Sequence, residues 1–301
     1  MGRFPVKPIR LGKQIEIMSK VMDYSVTSGA SENYFGIFGG SGAEFKGHRE
    51  YGPGSDSKRI DWKASLRSDK LLVKEFFQEK GMDVIFVYDV SESMLFGSQS
   101  KIKAHYGAEF ILALAGTAME ANYNIGLVCF SDKVRKVFLP SSGGRQYSLM
   151  VDVLSNHSTY GGKFKMKEVL SYVSEMFNPG SVIVLVSDFL GDEGDFLKYK
   201  SKFRILSHNY DVISVVLRDV RDEFMPAQSE EFVVSDPYSG RKIAFVPSKI
   251  KDRFENYAKH QRKELFTFLN EVKSECLPLY TDKSFVSETI SFFERRGQLS
   301  K

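Results

Sequence analysis

The sequence predicts an α/β fold in which a mainly parallel sheet carries helices on both faces. Two observations lead there. Three continuous apolar runs, MDVIFVYDV (82–90), VIVLVSDF (182–189) and VISVVLRD (212–219), have the length and Val/Ile content of strands buried on both sides. Segments of helical period separate and follow them, and that alternation implies parallel strands joined by crossovers. In such sheets a site lies beyond the C-terminal strand ends, where the strand order switches. Asp89 and Asp188 stand at the ends of the first two runs.

The elements follow in chain order. Residues 1–35 form a polar lead with a short helix near 11–23. The stretch up to residue 81 is rich in Gly and charge, with turn signals at 51–55. It holds too few apolar residues for a core of its own, so 1–81 is expected to pack on a main domain spanning 82–301. Asp56, Arg59, Asp61, Trp62 and Arg67 are read there as parts of a paired lid with Trp62 as its anchor, the alternative being a partner-binding surface. Over 101–120, Ile102, Tyr106, Phe110, Ala113, Leu114 and Thr117 share one helical face. A second set, Ala104, Gly107, Ala108 and Ala115, lets that helix approach a sheet closely. IGLVCF (125–130) and VRKVFL (134–139) form a strand hairpin. Helices are expected over 145–155, 164–177, 192–206, 253–274 and 284–296, with a last strand over 276–280. Residues 231–246 read as an exposed hairpin turning at Asp236 and Gly240.

Composition narrows the function classes. Of 301 residues, 42% are hydrophobic and 27% charged, and the net charge of +4 does not argue for an anionic partner. Lys58, Arg59, Lys63, Arg67, Lys70 and Lys74 alternate with Asp56, Asp61, Asp69 and Glu75, which cancels the field that nucleic acid requires. Cys129 and Cys276 have no CxxC spacing, which excludes a disulfide framework and a thiolate zinc site. The expected compartment is a reducing cytoplasm. No run of about 18 apolar residues occurs, so no membrane-spanning helix is expected. Gly42 and Gly47 have the spacing of a phosphate loop, but His48 and Arg49 stand where Lys and Ser/Thr are needed.

The strand ends carry the chemistry. Asp89, Ser91 and Ser93 form a DxSxS run; Ser158-Thr159 precedes helix 164–177; Ser187-Asp188 closes a second strand. Asp89, Ser91, Ser93, Thr159 and Asp188 thus come from three loops expected at one end of one sheet. Carboxylate, hydroxyl and water oxygens are the ligands that Mg²⁺ or Mn²⁺ prefers. The bland alternative for each serine is a helix N-cap.

This constellation resembles the metal-ion-dependent adhesion site of von Willebrand factor A domains, over residues 82–220. The resemblance implies a von Willebrand A-like (Rossmann-like) fold. It also implies that Ser91, Ser93 and Thr159 ligate the cation while Asp89 and Asp188 hold waters and orient the hydroxyls. Two glycines follow Thr159 here, where many members of that family have them before it, so Ser158 is an alternative ligand.

A longer resemblance rests on GSGAEF (40–45), REYGPGSDSKRIDWKASLRSDKLLVKE (49–75), DVSESM (89–94), DEFMP (222–226), SDPYSGRKIAF (235–245) and SFFERRG (291–297). On these runs the chain is similar to the bacterial family known as domain of unknown function fifty-eight. Genes of that family often lie beside those of MoxR-type AAA+ ATPases. The resemblance implies a non-enzymatic adaptor or co-chaperone of such an ATPase, with a partner carboxylate completing the coordination of the cation. It also implies a short form without the membrane helices of many members. The enzymatic alternative is a metal-dependent hydrolase of phosphate esters.

Overall fold

The computed structural model describes residues 45–52, 61–68, 70–76, 82–191, 196–227, 229–235 and 242–299. The expected helix near 11–23, Asp56, Arg59 and the turn at 236–240 lie outside the described residues.

The first described elements are strand β1 (Phe45–Glu50), helix α1 (Trp62–Ser68) and strand β2 (Leu72–Phe76), the two strands pairing antiparallel. Asp61 starts α1, its Oδ1 accepting the Lys63 and Ala64 N–H groups at 3.1 Å each. Ser65 Oγ donates to the Asp61 carbonyl at 2.7 Å and accepts the Leu72 N–H at 2.8 Å, which ties α1 to β2. The expectation that Trp62 anchors this segment is corrected. Its indole is 64% exposed, because a hydrogen bond of Ser65, not aromatic packing, holds the helix to the hairpin.

The three apolar runs become strands β3 (Asp83–Asp89), β6 (Val182–Ser187) and β7 (Asp211–Arg218). Strands β4 (Asn124–Phe130), β5 (Val134–Ser141) and β10 (Glu275–Tyr280) complete a six-stranded sheet in the order β10-β7-β6-β3-β4-β5. All neighbours are parallel except the β4–β5 hairpin. Helices cover both faces, so alternate residues of β3 enter different cores. Val84, Phe86 and Tyr88 pack with α2 (Lys103–Glu120), α3 (Gly144–Ser155) and α8 (Phe285–Leu299). Ile85 and Val87 pack with α4 (Met166–Met176), α5 (Lys200–Asn209) and α7 (Pro247–Glu271). From β3 the chain moves outward to β4 on one side, whereas β6, β7 and β10 extend on the other. The strand order therefore switches between β3 and β6, and a crevice forms beyond their C-terminal ends.

The small-residue face of α2 does what its composition predicts. Ala104, Ala108 and Ala115 are fully buried. A Cβ added at Gly107 would lie 2.8 Å from Leu217 Cδ1 and 2.9 Å from the Tyr88 ring and hydroxyl. Gly107→Ala is expected to lower the unfolding free energy by about 1–3 kcal/mol through overpacking, despite alanine's helix preference of about 1 kcal/mol. Urea unfolding followed by circular dichroism measures this, and a more stable variant would mean that the helix is free to shift off the sheet.

Two boundaries differ from expectation. Helix α7 begins at Pro247 rather than 253, since proline's fixed φ suits the first helical position. Of the expected 192–206 helix, residues 192–195 lie outside the described residues, Phe196–Tyr199 form a single tight turn, and α5 follows. Strands β8 (Phe232–Ser235) and β9 (Lys242–Phe245) form the expected hairpin, with Val233 and Ile243 exposed. Among the described residues no helix is long and apolar enough to cross a membrane.

Candidate metal centre

The loop after β3 is shaped by the carboxylate at its root. Asp89 Oδ1 accepts the Ser91 N–H at 2.9 Å, a local turn that aspartate forms readily. Val90 N–H remains on the ladder to Phe130, and buried Met94 pins the one-turn helix Glu92–Leu95. This folding turns both serines inward: Ser91 Oγ and Ser93 Oγ lie 3.2 Å apart. Ser93 Oγ donates to Asp188 Oδ1 at 3.2 Å, and Ser187 Oγ donates to Asp89 Oδ2 at 2.7 Å. Phe189 N–H bonds Ser187 Oγ and Leu190 N–H bonds Asp188 Oδ1, which fixes the second loop. Asp89, Ser91, Ser93 and Asp188 are all buried and form one hydrogen-bonded set across the switch point.

Thr159 sits apart from that set. It is buried, but its hydroxyl donates to the Val153 carbonyl of α3 at 2.8 Å. Its loop nevertheless lies on the serine loop: Gly161 N–H bonds the Val90 carbonyl at 2.7 Å, and Glu92 N–H bonds the Gly162 carbonyl at 2.9 Å. Gly162 has φ +91°, a backbone conformation that favours glycine at this crossing. Ser158, the alternative ligand, is exposed, and its Oγ bonds Asn156 Oδ1 at 2.9 Å.

A lysine occupies the other side of Asp188. Lys103, at the start of α2, is 1% exposed, and its ammonium donates to Asp188 Oδ2 at 2.7 Å. It also donates to Asp222 Oδ1 and Oδ2 at 3.3 and 3.1 Å. Asp222 lies in α6 (Val220–Glu223), a short helix capped by Asp219. Asp219, the acid that ends the third apolar run, accepts bonds from Ser98 N–H and Oγ, Arg221 N–H and Thr281 Oγ1. Arg218 bonds the Asp188 carbonyl. Sequence reasoning did not single out Lys103, Arg218, Asp219 or Asp222. The available signal was VISVVLRD, which closes on an Asp as the other two runs carry one next to their last residue.

The electrostatics follow from this arrangement. Burial, and then the charge of Asp188, raise the Asp89 carboxyl from 3.8 to about 7, against the hydrogen bonds from Ser187 and Ser91 that lower it. Burial also acts upward on Asp188, but Lys103 foremost, with Arg218 and the Leu190 N–H, outweighs it and holds that carboxyl below its usual range. Asp222 is pushed up by burial despite Lys103. Asp188 is therefore the ionised member of the pair, and Asp89 takes the proton.

The donor set is of the ligand type that hard divalent cations take. It is built of oxygen alone. Among the described residues no three His, Cys, Asp or Glu side chains converge as a metal-ligand group, so a cation here depends on the serine hydroxyls.

The model of the family described as "Protein of unknown function DUF58" matches residues 47–264. The chain belongs to the DUF58 family. Relatives of this DUF58 chain include uncharacterised proteins of Mycobacterium bovis and Mycobacterium tuberculosis. Each is 22% identical over 275 residues, covering 89% of this chain and 84% of theirs. Among solved structures, the conserved hypothetical protein BatB from Bacteroides thetaiotaomicron is similar at a TM-score of 0.46 and 14% identity. That match covers 73% of this chain and all of BatB's.

Proposed function

We propose that this DUF58 chain is a non-enzymatic protein-binding module whose contact depends on a divalent cation, Mg²⁺ or Mn²⁺. The observation that carries the reading is the buried, oxygen-only set of Asp89, Ser91, Ser93 and Asp188 at the strand switch. Those four residues would hold the cation, with Thr159 on the adjoining loop. When bound, it supplies a positive charge with an open position for a partner's carboxylate. The family resemblance points to a MoxR-type AAA+ ATPase as that partner, with this chain as its adaptor or co-chaperone. The two free cysteines suit a cytoplasmic setting. Hydrolysis of phosphate esters is the alternative reading of the same strand-end residues.

Mn²⁺ binding followed by electron paramagnetic resonance tests the reading. One saturable site is expected in the wild type, displaced by Mg²⁺ and lost in Asp89→Ala. Ser91→Ala is expected to weaken Mn²⁺ binding roughly 10–100-fold, and to weaken the complex with an acidic partner while the fold is kept. Equal partner binding by wild type and Ser91→Ala in Mg²⁺ would remove the proposed mechanism. Turnover of a phosphate ester that falls away in Asp89→Asn would favour the hydrolase instead.

A further inference from the structure

The first turn of α2 packs against the sheet, and a lysine there needs charged partners to be buried. Lys103 has two, from loops that follow different strands: Asp188 after β6 and Asp222 after β7. Its backbone N–H bonds the Phe96 carbonyl at 3.0 Å, and the Phe96 ring lies 5.6 Å from the ammonium. The ammonium is thus held from above and on two sides, with 2.7 Å to Asp188 Oδ2. Asp188 is also the carboxylate whose other oxygen takes the Ser93 hydroxyl, so one residue belongs to both the lysine and the serine cluster. A positive charge already in contact with a carboxylate diminishes what a second cation gains from it.

We propose that Lys103 is a tethered competitor that sets the cation affinity of the site: its ammonium contends for Asp188, and Asp222 is the second carboxylate that draws it away. The inference rests on the cation reading above. It makes Lys103 and Asp222 positioning residues with opposite effects. Asp222 leaves the ammonium partnered when Asp188 is given up, so removing Asp222 commits Lys103 to Asp188 alone. Removing Lys103 frees Asp188 altogether.

Mn²⁺ titration of the full chain, read by electron paramagnetic resonance, tests this in wild type, Asp222→Asn and the double variant Lys103→Met/Asp222→Asn. The double variant omits both the ammonium and the carboxylate that would otherwise be stranded. It is expected to bind Mn²⁺ at least roughly tenfold more tightly than wild type. Asp222→Asn is expected to bind more weakly than wild type. A purely structural role for Lys103 would weaken binding in both. If the double variant binds no more tightly than wild type while its circular dichroism is unchanged, the inference falls and the cation site stands. If none of the three proteins binds Mn²⁺, both fall together. Should the double variant fail to fold, Asp222→Asn still tests the inference: equal or tighter Mn²⁺ binding overturns it.

Discussion

Lys103→Met alone is expected to lower the unfolding free energy by about 3–5 kcal/mol at neutral pH, the range for breaking a buried ion pair from one side. The lysine side chain is 1% exposed, and its partners Asp188 and Asp222 are 0% and 8% exposed. Methionine replaces the stem of the side chain but not its charge. Asp188 would retain hydrogen bonds from Ser93 and Leu190, and Asp222 would cap the Asp219 N–H, but no ammonium would remain between them. Attraction to Arg218 is the principal residual compensation for Asp188. Urea unfolding followed by far-ultraviolet circular dichroism gives the difference. Adding Asp222→Asn should recover part of the loss by removing one stranded charge. A loss below about 1 kcal/mol, the size typical of an exposed pair, would show that water reaches the cluster and that the lysine is not holding it.

The second large effect is a pH dependence that opposes the usual acid lability. Asp89 titrates at about 7 in the folded chain against an ordinary 3.8, because of burial and then the charge of Asp188. Between those values the folded state keeps a proton that the unfolded state has released, so stability falls as pH rises. The contribution is complete below about pH 4 and is lost as the pH passes through 7. A difference of that size corresponds to as much as about 4 kcal/mol. Asp89→Asn carries no such proton, so its stability curve should be flatter across this window, with Asp222 leaving a residual slope of the same sign. In the absence of divalent cations the variant is expected to match or trail wild type at pH 4 and exceed it by a few kcal/mol at pH 8. Mg²⁺ at pH 8 should stabilise wild type and leave Asp89→Asn unchanged. Parallel curves for the two proteins would mean that Asp89 ionises without penalty. Thermal unfolding across pH 4–8, with and without Mg²⁺, reads all of these outcomes.

The sheet was legible because its inner strands are buried on both faces and must be continuously apolar, which leaves a run that ends abruptly where the crevice begins. Asp89 and Asp188 could be named from that edge alone. The serine pair was legible as well, since a spacing of two after Asp89 lies within one local turn. Thr159 stands on a loop that meets the serine loop, yet its hydroxyl is taken by the Val153 carbonyl six residues before it. Local backbone geometry set that direction, and composition does not report it.

By itself, the sequence determined the strand and helix alternation, the close approach of α2 through Gly107, and the carboxylates at the strand ends. Each of these depends on burial or on contacts a few residues apart, so each leaves a periodic or local trace. Only the tertiary structure decided that Lys103 faces inward. Its partners lie 85 and 119 residues away along the chain, and a lysine amid helical alanines carries no mark of them. The same holds for the split between the two acids. Asp89 and Asp188 look alike at the ends of their strands, and the ammonium beside one of them makes that one the charged member while the other keeps its proton.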